Sequence, residues 1–419
     1  MAMDTSGDRP RIRELRLRRF RAFENARLTL NDFTVIVGRN GSGKSTLMEA
    51  FDFLQDAVTH SVLTALERRG GINSIVHRPS APKHRAAAEP TNAPDQRDDG
   101  YRVTSSDVEI AIDIQLPVTN VLYGFTLGPY KNRSGFRVKR ELLRTYPKSS
   151  FSFERRGPSF FSERRDAKPS VGPESLALPL VAEHEKVWQL TIDAIRNVLV
   201  YDLSPQVMQA EPRIGSQQSL ARDGSNLGDV LRGLDRDTSE MDWIIKHLGV
   251  VTRGVSRVLA GASAGRRIVN FFQQTGEKQS RFVASEMSNG TLHSLGVLVA
   301  LRQKPIPSLV YIDEVEASIH TAALAALMDA AFVSSRDRCQ VVISTHSTDA
   351  LSHPAVNGDN LRIVDWQDDR SLIFRIAPGA RELLTPPETV GRLLRSNSLW
   401  TDDVPQTISN DIFEVTNEG

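Results

Sequence analysis

The sequence predicts an α/β protein with a mixed β-sheet core around a phosphate-binding loop, an antiparallel β region beside it, and a helical lobe inserted between two halves of the core. Three observations predict this. Residues 38–46 read GRNGSGKST, between the apolar run FTVIV and the periodic stretch LMEAFDFLQDAV. Two further apolar runs end in polar groups: LVYI at 309–312 leads into Asp313-Glu314, and QVVIST at 340–345 leads into His346. In the long interval between, apolar residues first alternate with period two and then recur at helical spacing.

Each element can be justified in order. RIRELRLRRF and ARLTL have the composition of strands, and Val35, Ile36 and Val37 form a buried strand that enters the loop. Gly38, Gly43, Lys44 and Ser45 fit G-x-x-x-x-G-K-[ST]. The pattern works because small residues let successive backbone N–H groups turn inward around phosphate oxygens while the lysine neutralises their charge. Leu47, Phe51, Leu54 and Val58 recur at helical spacing, so a helix follows whose positive N-terminal end faces the anion. The candidate nucleotide loop is therefore Gly38, Arg39, Asn40, Gly41, Ser42, Gly43, Lys44, Ser45 and Thr46, with Lys44 on the β- and γ-phosphates and Ser45 on Mg²⁺.

Residues 78–100 are rich in Pro, Ala and charge without periodicity and are expected to be a mobile surface insertion. DVEIAIDIQL alternates as a half-exposed strand, and VLYGFTL and GFRVKRELL extend the antiparallel region. Residues 155–175 have the composition of a second polar loop. From about 176 to 260 the pattern is mainly helical: Trp188, Ile192, Ile195 and Leu199 share one face, and Met241, Ile244, Ile245 and Leu248 another. The expected division is thus 1–175 for the first part of the nucleotide domain, 176–275 for the helical lobe, 276–380 for the second part, and 381–419 for a tail. No heptad run long enough for a coiled-coil arm occurs.

Asp313, at the end of its strand, is suited to hold Mg²⁺ opposite Ser45, and Glu314 to orient or deprotonate the attacking water. His346 is placed to reach the γ-phosphate or that water. Ser288, Asn289 and Gly290 precede a helix carrying Leu292, Leu295 and Val299 on one face, which puts the Ser288 hydroxyl at a helix N-terminus suited to an anion. Alone, a histidine at a strand end is usually structural and S-N-G is a common turn. The order of the elements gives them weight.

Composition narrows the setting. Of 419 residues, 52 are Lys or Arg and 51 Asp or Glu, a net charge of +1 that argues against a protein coating polyanions throughout. Arg9, Arg11, Arg13, Arg16, Arg18, Arg19, Arg21 and Arg27 crowd the N-terminus, either as a phosphate-binding surface or as a solvated strand face. The single cysteine, Cys339, excludes an internal disulfide and fits a reducing compartment. No apolar run approaches a membrane span and the N-terminus lacks a signal-peptide core, so a cytoplasmic protein without a membrane partner is expected.

The order P-loop, S-x-G at a helix start, apolar-Asp-Glu, then strand-Thr-His resembles that of the ABC-type ATPases. Within them the chain resembles the RecF/SMC/OLD-like branch, including bacterial AAA-family ATPases of phage-defence and abortive-infection operons. GRNGSGKSTLMEAF resembles its Walker A, MSNGTLHSLG its signature, YIDEVEASIH its Walker B and D-loop, and QVVISTHSTDAL its switch-histidine strand. RGGINSIV, LARDGSNLGDVL and TVGRLLRSNSLW carry weaker similarity. The resemblance implies an ABC-type head in which two subunits sandwich ATP, with Lys44, Ser45, Asp313, Glu314 and His346 on one side and Ser288, Asn289 and Gly290 on the other. Val315 stands where the branch usually has proline, Ser318 where it often has glycine, Asn289 where it often has an acid, and His293 where a basic residue is usual.

The implied function is a Mg²⁺-dependent ATPase that forms an ATP-dependent homodimer, or a higher homo-oligomer, and regulates an effector protein encoded nearby. About 70 residues follow His346, too few for the nuclease domain of OLD-type relatives, so the effector chemistry is expected on a second protein. The alternative is a RecF-like repair or replication ATPase clamping duplex DNA, its N-terminal arginines on phosphates. A transporter subunit is disfavoured by the 244 positions separating Lys44 from Ser288.

Overall fold

The computed structural model describes residues 9–78, 104, 106–130, 135–148, 150–164, 169–215, 217, 219–376, 405–408 and 411–415. The N-terminal alternation becomes β1 (Arg11–Phe20) and β2 (Phe23–Thr29), after which β3 (Phe33–Val37) leaves for a different sheet. β4 (Val108–Gln115), β5 (Asn120–Pro129), β6 (Phe136–Tyr146), β7 (Phe153–Arg156) and β8 (Ser159–Ser162) join the first two in a seven-stranded antiparallel sheet, ordered β2-β1-β4-β5-β6-β7-β8.

The second sheet has six strands. β9 (Val198–Tyr201), β13 (Leu309–Ile312), β14 (Gln340–Thr345) and β15 (Leu361–Gln367) run parallel to β3, and β16 (Arg370–Phe374) closes one edge antiparallel, in the order β16-β15-β3-β14-β13-β9. β3, β13 and β14 are buried along their whole length, as parallel strands covered on both faces are. A smaller antiparallel sheet comprises β10 (Val255–Ser263), β11 (Arg266–Thr275) and β12 (Lys278–Val283).

Helix α1 (Lys44–Thr59) is wedged between the two larger sheets: Leu47, Phe51, Phe53 and Leu54 share one core with Ile12 and Leu15 of β1 and with Ile36, Tyr311 and Val342 of the parallel sheet. α2 (Val62–Glu67), α3 (Leu178–Val181) and α4 (Lys186–Arg196) extend that core. α5 (Pro205–Met208), α6 (Leu227–Leu234), α7 (Thr238–Val251), α8 (Asn289–Arg302), α9 (Thr321–Asp337) and α10 (Thr348–Leu351) cover the opposite face of the parallel sheet in a second core.

The register fixes the functional edge. Ile312 pairs with Ile343, and Thr345 with Val37. The chain therefore leaves β3, β13 and β14 at the same C-terminal edge, where ligands of open parallel sheets bind. That register places Gly38, Asp313 and His346 at neighbouring strand ends.

Several expectations need correction. The 176–275 segment carries α3 to α7, but it also supplies β9 to the central sheet and β10 and β11 to the small one. Leu199 lies in β9 rather than on the helical face of Trp188, Ile192 and Ile195, because α4 ends at Arg196 and β-branched Val198 and Val200 alternate into the sheet. Residues 155–175 begin with the end of β7 and the whole of β8, where Phe160 stacks on Phe153 with ring centroids 5.2 Å apart. The expected insertion falls outside the described residues beyond residue 78, as does TVGRLLRSNSLW in the tail. Of that tail, Ile408, Ile412 and Phe413 pack with Ala111, Leu122 and Leu142 against the outer face of the antiparallel sheet.

The N-terminal arginines are neither a free basic surface nor a simply solvated face. Arg16 and Arg27 pair with Glu14, Arg18 and Arg19 with Glu109, Arg11 with Asp32, and Arg21 approaches Glu49. Arg9 donates to the carbonyls of Ser335 and Arg336. Folding β1 between β2 and β4 sets Glu14 of β1 against Arg16 and, from β2, Arg27, and brings Glu109 of β4 against Arg18 and Arg19, while Asp32 and Glu49 come from the chain before β3 and from α1.

Candidate nucleotide site

The loop between β3 and α1 is held by contacts that only glycine permits. Gly43, the residue before α1, has φ +113°, and a Cβ there would lie 2.4 Å from Ser371 Oγ of β16. A Cβ on Gly38 would lie 2.3 Å from the Val364 carbonyl oxygen of β15. The loop thus packs down on the strands beside it, braced by Ser371 Oγ donating to the Ser42 carbonyl at 2.6 Å. Arg39, Asn40, Gly41 and Ser42 face Asp365 and Trp366 across a cleft of about 400 Å³.

Lys44 folds back over this loop, its Nζ donating to the carbonyls of Gly38 at 2.7 Å and Arg39 at 3.1 Å. Burial lowers its pKa, against the pull of Asp313, Glu314 and Glu316. A desolvated ammonium held by neutral carbonyls is short of counter-charge, and Ser42 Oγ beside it is buried without a hydrogen-bond partner. Both features fit an anion at the start of α1.

Ser45 Oγ donates to Asp313 Oδ2 at 3.1 Å, across from β13. Ser344 Oγ on β14 donates to the other oxygen of that carboxylate and accepts the Glu314 backbone N–H at 3.0 Å. Sequence reading missed Ser344, since a small residue two places before a histidine carries no signal of its own. The hydroxyl and carboxylate pair is the oxygen donor set that Mg²⁺ takes from a P-loop and a strand-end Asp. Glu314 itself sits at φ +46°, half-exposed, with its carboxylate 3.8 Å from His346 Nδ1.

Glu316 is the second residue that sequence reading missed. Its Oε1 accepts the backbone N–H of His346 at 2.7 Å and of Ser347 at 3.1 Å, and lies 3.1 Å from His346 Nδ1. Its other oxygen, Oε2, is buried without a partner. The loop after β13 therefore grips the end of β14 through one carboxylate, and an acidic residue two positions after Glu314 was the available signal.

Ser288 caps α8: its Oγ accepts the Thr291 N–H at 3.2 Å, and its backbone is extended. Residues 288–290 line a separate cleft of about 630 Å³ with Thr252, Arg253, Ser318 and His320, sharing no lining residue with the Trp366 cleft. Lys44, Ser45, Asp313, Glu314 and His346 are brought together within one chain, whereas Ser288, Asn289 and Gly290 open elsewhere.

Not every departure from the family pattern acquires a reason. The Val315 N–H donates to the Ser344 carbonyl at 3.3 Å, a bond proline cannot make. Ser318 occupies φ +62°, the region glycine favours, and its carbonyl lies 2.7 Å from where a Cβ on Gly290 would sit. Asn289 Oδ1 accepts from Gln209 Nε2 at 3.2 Å, a bond an acid could also accept, so the structure gives no reason for this departure. His293 is buried on α8 against the Val315 backbone, and burial pushes its imidazole down to about 4.

Among the described residues no three His, Cys, Asp or Glu side chains cluster as a metal site, and no helix is long and apolar enough to cross a membrane. A family model described as "AAA domain, putative AbiEii toxin, Type IV TA system" matches residues 33–352. The chain is similar in structure to the Smc head domain with an extended coiled coil bound to the C-terminal domain of ScpA, derived from Pyrococcus furiosus. That likeness has 13% identity and a TM-score of 0.51 over 90% of this chain and 98% of that one. The SMC head domain from Thermotoga maritima aligns at 13% identity with a TM-score of 0.45, over 88% of this chain and 99% of that one. No curated protein sequence matches the chain. The family match runs from the strand entering the P-loop to the helix beyond His346, on a mixed α/β fold like that of an SMC head domain: the chain belongs to this AAA family.

Proposed function

We propose that this protein is a regulatory ATPase in which two copies close around ATP and reopen on hydrolysis, switching an effector protein encoded nearby in an anti-phage, abortive-infection-like system. The observation that carries the proposal is the division of the site. One chain gathers Lys44, Ser45, Asp313, Glu314 and His346 at one sheet edge, while Ser288 lines a cleft that none of them lines, so in this reading a second copy sets Ser288 against the nucleotide.

In this reading the backbone N–H groups of residues 38–46 and the α1 N-terminus surround the phosphates, and Lys44 moves its ammonium from loop carbonyls to phosphate oxygens. Mg²⁺ held by Ser45 and Asp313 would neutralise charge on the β- and γ-phosphates. Ser344 keeps the Asp313 carboxylate aimed at Ser45. Glu314 accepts the proton of the attacking water, and Glu316 holds His346 where its ring reaches the γ-phosphate. Trp366, half-exposed beside the loop, offers an aromatic face to the base. Closure around ATP shifts the population from open to closed dimers, and loss of the γ-phosphate removes what Ser288 binds.

The defence setting is supported by the toxin named in the family description, and the partner by a head domain of this fold bound to part of another protein. A RecF-like clamp on duplex DNA is less well supported, because the arginines that would meet phosphates are spent on Glu14, Glu109 and Asp32.

The test is Glu314→Gln, expected to bind ATP and elute as a dimer by light scattering. A monomer at saturating ATP would refute the sandwich. Ser288→Arg should bind ATP as a monomer without dimerising or turning over, and Lys44→Ala should lose ATP binding altogether. Tagged Glu314→Gln recovered from its host with ATP should bring down a stoichiometric second protein. Recovery of DNA alone, released by salt, would replace the effector reading with the clamp.

A further inference from the structure

The small sheet formed by β10, β11 and β12 has two faces of different chemistry. Val258, Ala260, Val269 and Phe271 are buried in the second core and make the inner face. Alternation sends their neighbours outward. The register aligns these neighbours across the strands: Arg257 with Phe272, Phe272 with Arg281, Leu259 with Asn270, Gly261 with Ile268, and Gln274 with Gln279. Leu259, Ile268 and Phe272 belong to none of the core clusters, and Arg257 and Arg281 are exposed.

The charge of this sheet departs from that of the molecule. Residues 255–283 hold five basic residues and one acidic, whereas the rest of the chain holds 47 basic and 50 acidic. Among the described residues, Arg257 and Lys278 have no ion-pair partner, and Arg281 Nε donates to the neutral Asn270 Oδ1 at 2.9 Å, which braces the guanidinium without neutralising it. Among the described residues, no strand pairs with β12 on its far side.

We propose that this outer face binds single-stranded nucleic acid, with a base stacked on Phe272 and the flanking phosphates met by Arg257 and Arg281. Phosphate is the anion complementary to unpaired guanidinium groups, and a half-exposed aromatic between them is a platform that any unpaired base can use. Arg257 and Arg281 lie two strand spacings apart, about 10 Å, which leaves room for a base between them. A duplex keeps its bases stacked away from Phe272 and would use the charges alone. The inference goes beyond the ATPase reading and does not depend on it.

The test uses the full chain without nucleotide and fluorescence anisotropy of a labelled oligothymidine of about 20 nucleotides, alongside a duplex of equal length, at about 50 and about 200 mM salt. The single strand is expected to bind more tightly than the duplex and to weaken with salt. Arg257→Glu with Arg281→Glu should abolish binding, and Phe272→Leu should weaken it about tenfold or more while keeping the salt slope. Thermal unfolding and ATP binding of the variants should match the parent, and Arg257→Gln with Arg281→Gln serves in place of the glutamates if those disturb folding. No binding by the parent, unchanged binding by the arginine variants, or a duplex bound as tightly and indifferently to Phe272 would overturn the proposal. Displacement by polyaspartate as effective as by unlabelled oligothymidine would also overturn it, in favour of an acidic protein partner.

Discussion

Glu316→Ala tests whether the D-loop holds the switch histidine in its working position. The Glu316 carboxylate is the partner of the His346 backbone N–H at 2.7 Å, while the Ser347 N–H retains Thr345 Oγ1 at 3.0 Å when the carboxylate is gone. A hydrogen bond to a charged acceptor contributes about 1.5–3 kcal/mol. The His346 ring contact is about half solvent-exposed, so it adds no more than about 1 kcal/mol. The position of His346 should therefore lose about 1.5–4 kcal/mol, which is roughly 10- to 1000-fold in kcat if that position is what the reaction uses. Glu316→Gln keeps an oxygen acceptor of the same reach but loses the charge, which about halves the bond, so a decrease of roughly 3- to 15-fold is expected. Steady-state phosphate release gives kcat, and a separate titration gives ATP affinity, which should stay near the parent value. An alanine variant within about twofold of the parent in kcat, or one altered only in KM, would refute the positioning role.

Three further outcomes follow from the same geometry. Gly43→Ala forces a side chain into φ +113° and against Ser371 Oγ, so it should lose ATP affinity and about 1–3 kcal/mol of stability; parent-like titration and melting would contradict the packed loop. Ser344→Ala removes the bracket on Asp313 and on the Glu314 N–H, so kcat should fall about tenfold and half-saturation should need more Mg²⁺; an unchanged Mg²⁺ dependence would count against it. His293 is held neutral by burial with its pKa lowered from 6.5 to about 4, so the unfolded chain takes up the proton first as pH falls. Stability present above pH 6.5 should therefore decline by up to roughly 3 kcal/mol between pH 6.5 and 4. His293→Leu should flatten that decline in denaturant unfolding at pH 7 and pH 4.5, and equal acid sensitivity of the two proteins would refute it.

What was legible in the sequence were the elements whose chemistry is local. The loop is readable because Gly38, Gly43, Lys44 and Ser45 act within one turn of chain, and β13 and β14 because strands buried on both faces carry the consecutive apolar residues LVYI and VVI. The helical reading beyond Trp188 ran into β9 because Leu199 happens to continue the spacing of α4, and only pairing with β13 decides that VLVY is a strand. β10 and β11 escaped notice because their outer face carries Leu259, Ile268 and Phe272, so apolar residues do not alternate cleanly with polar ones.

The site divides in the same way. By itself the sequence determined the identities of the candidate groups, Lys44, Ser45, Asp313, Glu314, His346 and Ser288, because each stands at a fixed offset from the end of an apolar run or the start of a helix. Which of them meet was decided only by tertiary structure. The parallel register of β3, β14 and β13 brings the first five to one sheet edge, and the same fold turns Ser288 toward another cleft. Tertiary structure also recruited Ser344 and Glu316, whose roles come entirely from partners some 30 residues away in sequence. It cancelled the basic N-terminus too, since the carboxylates that neutralise Arg18 and Arg19 arrive from β4, 91 and 90 residues further along the chain. Contacts of that separation cost chain entropy that only a folded sheet repays, so no local pattern announces them.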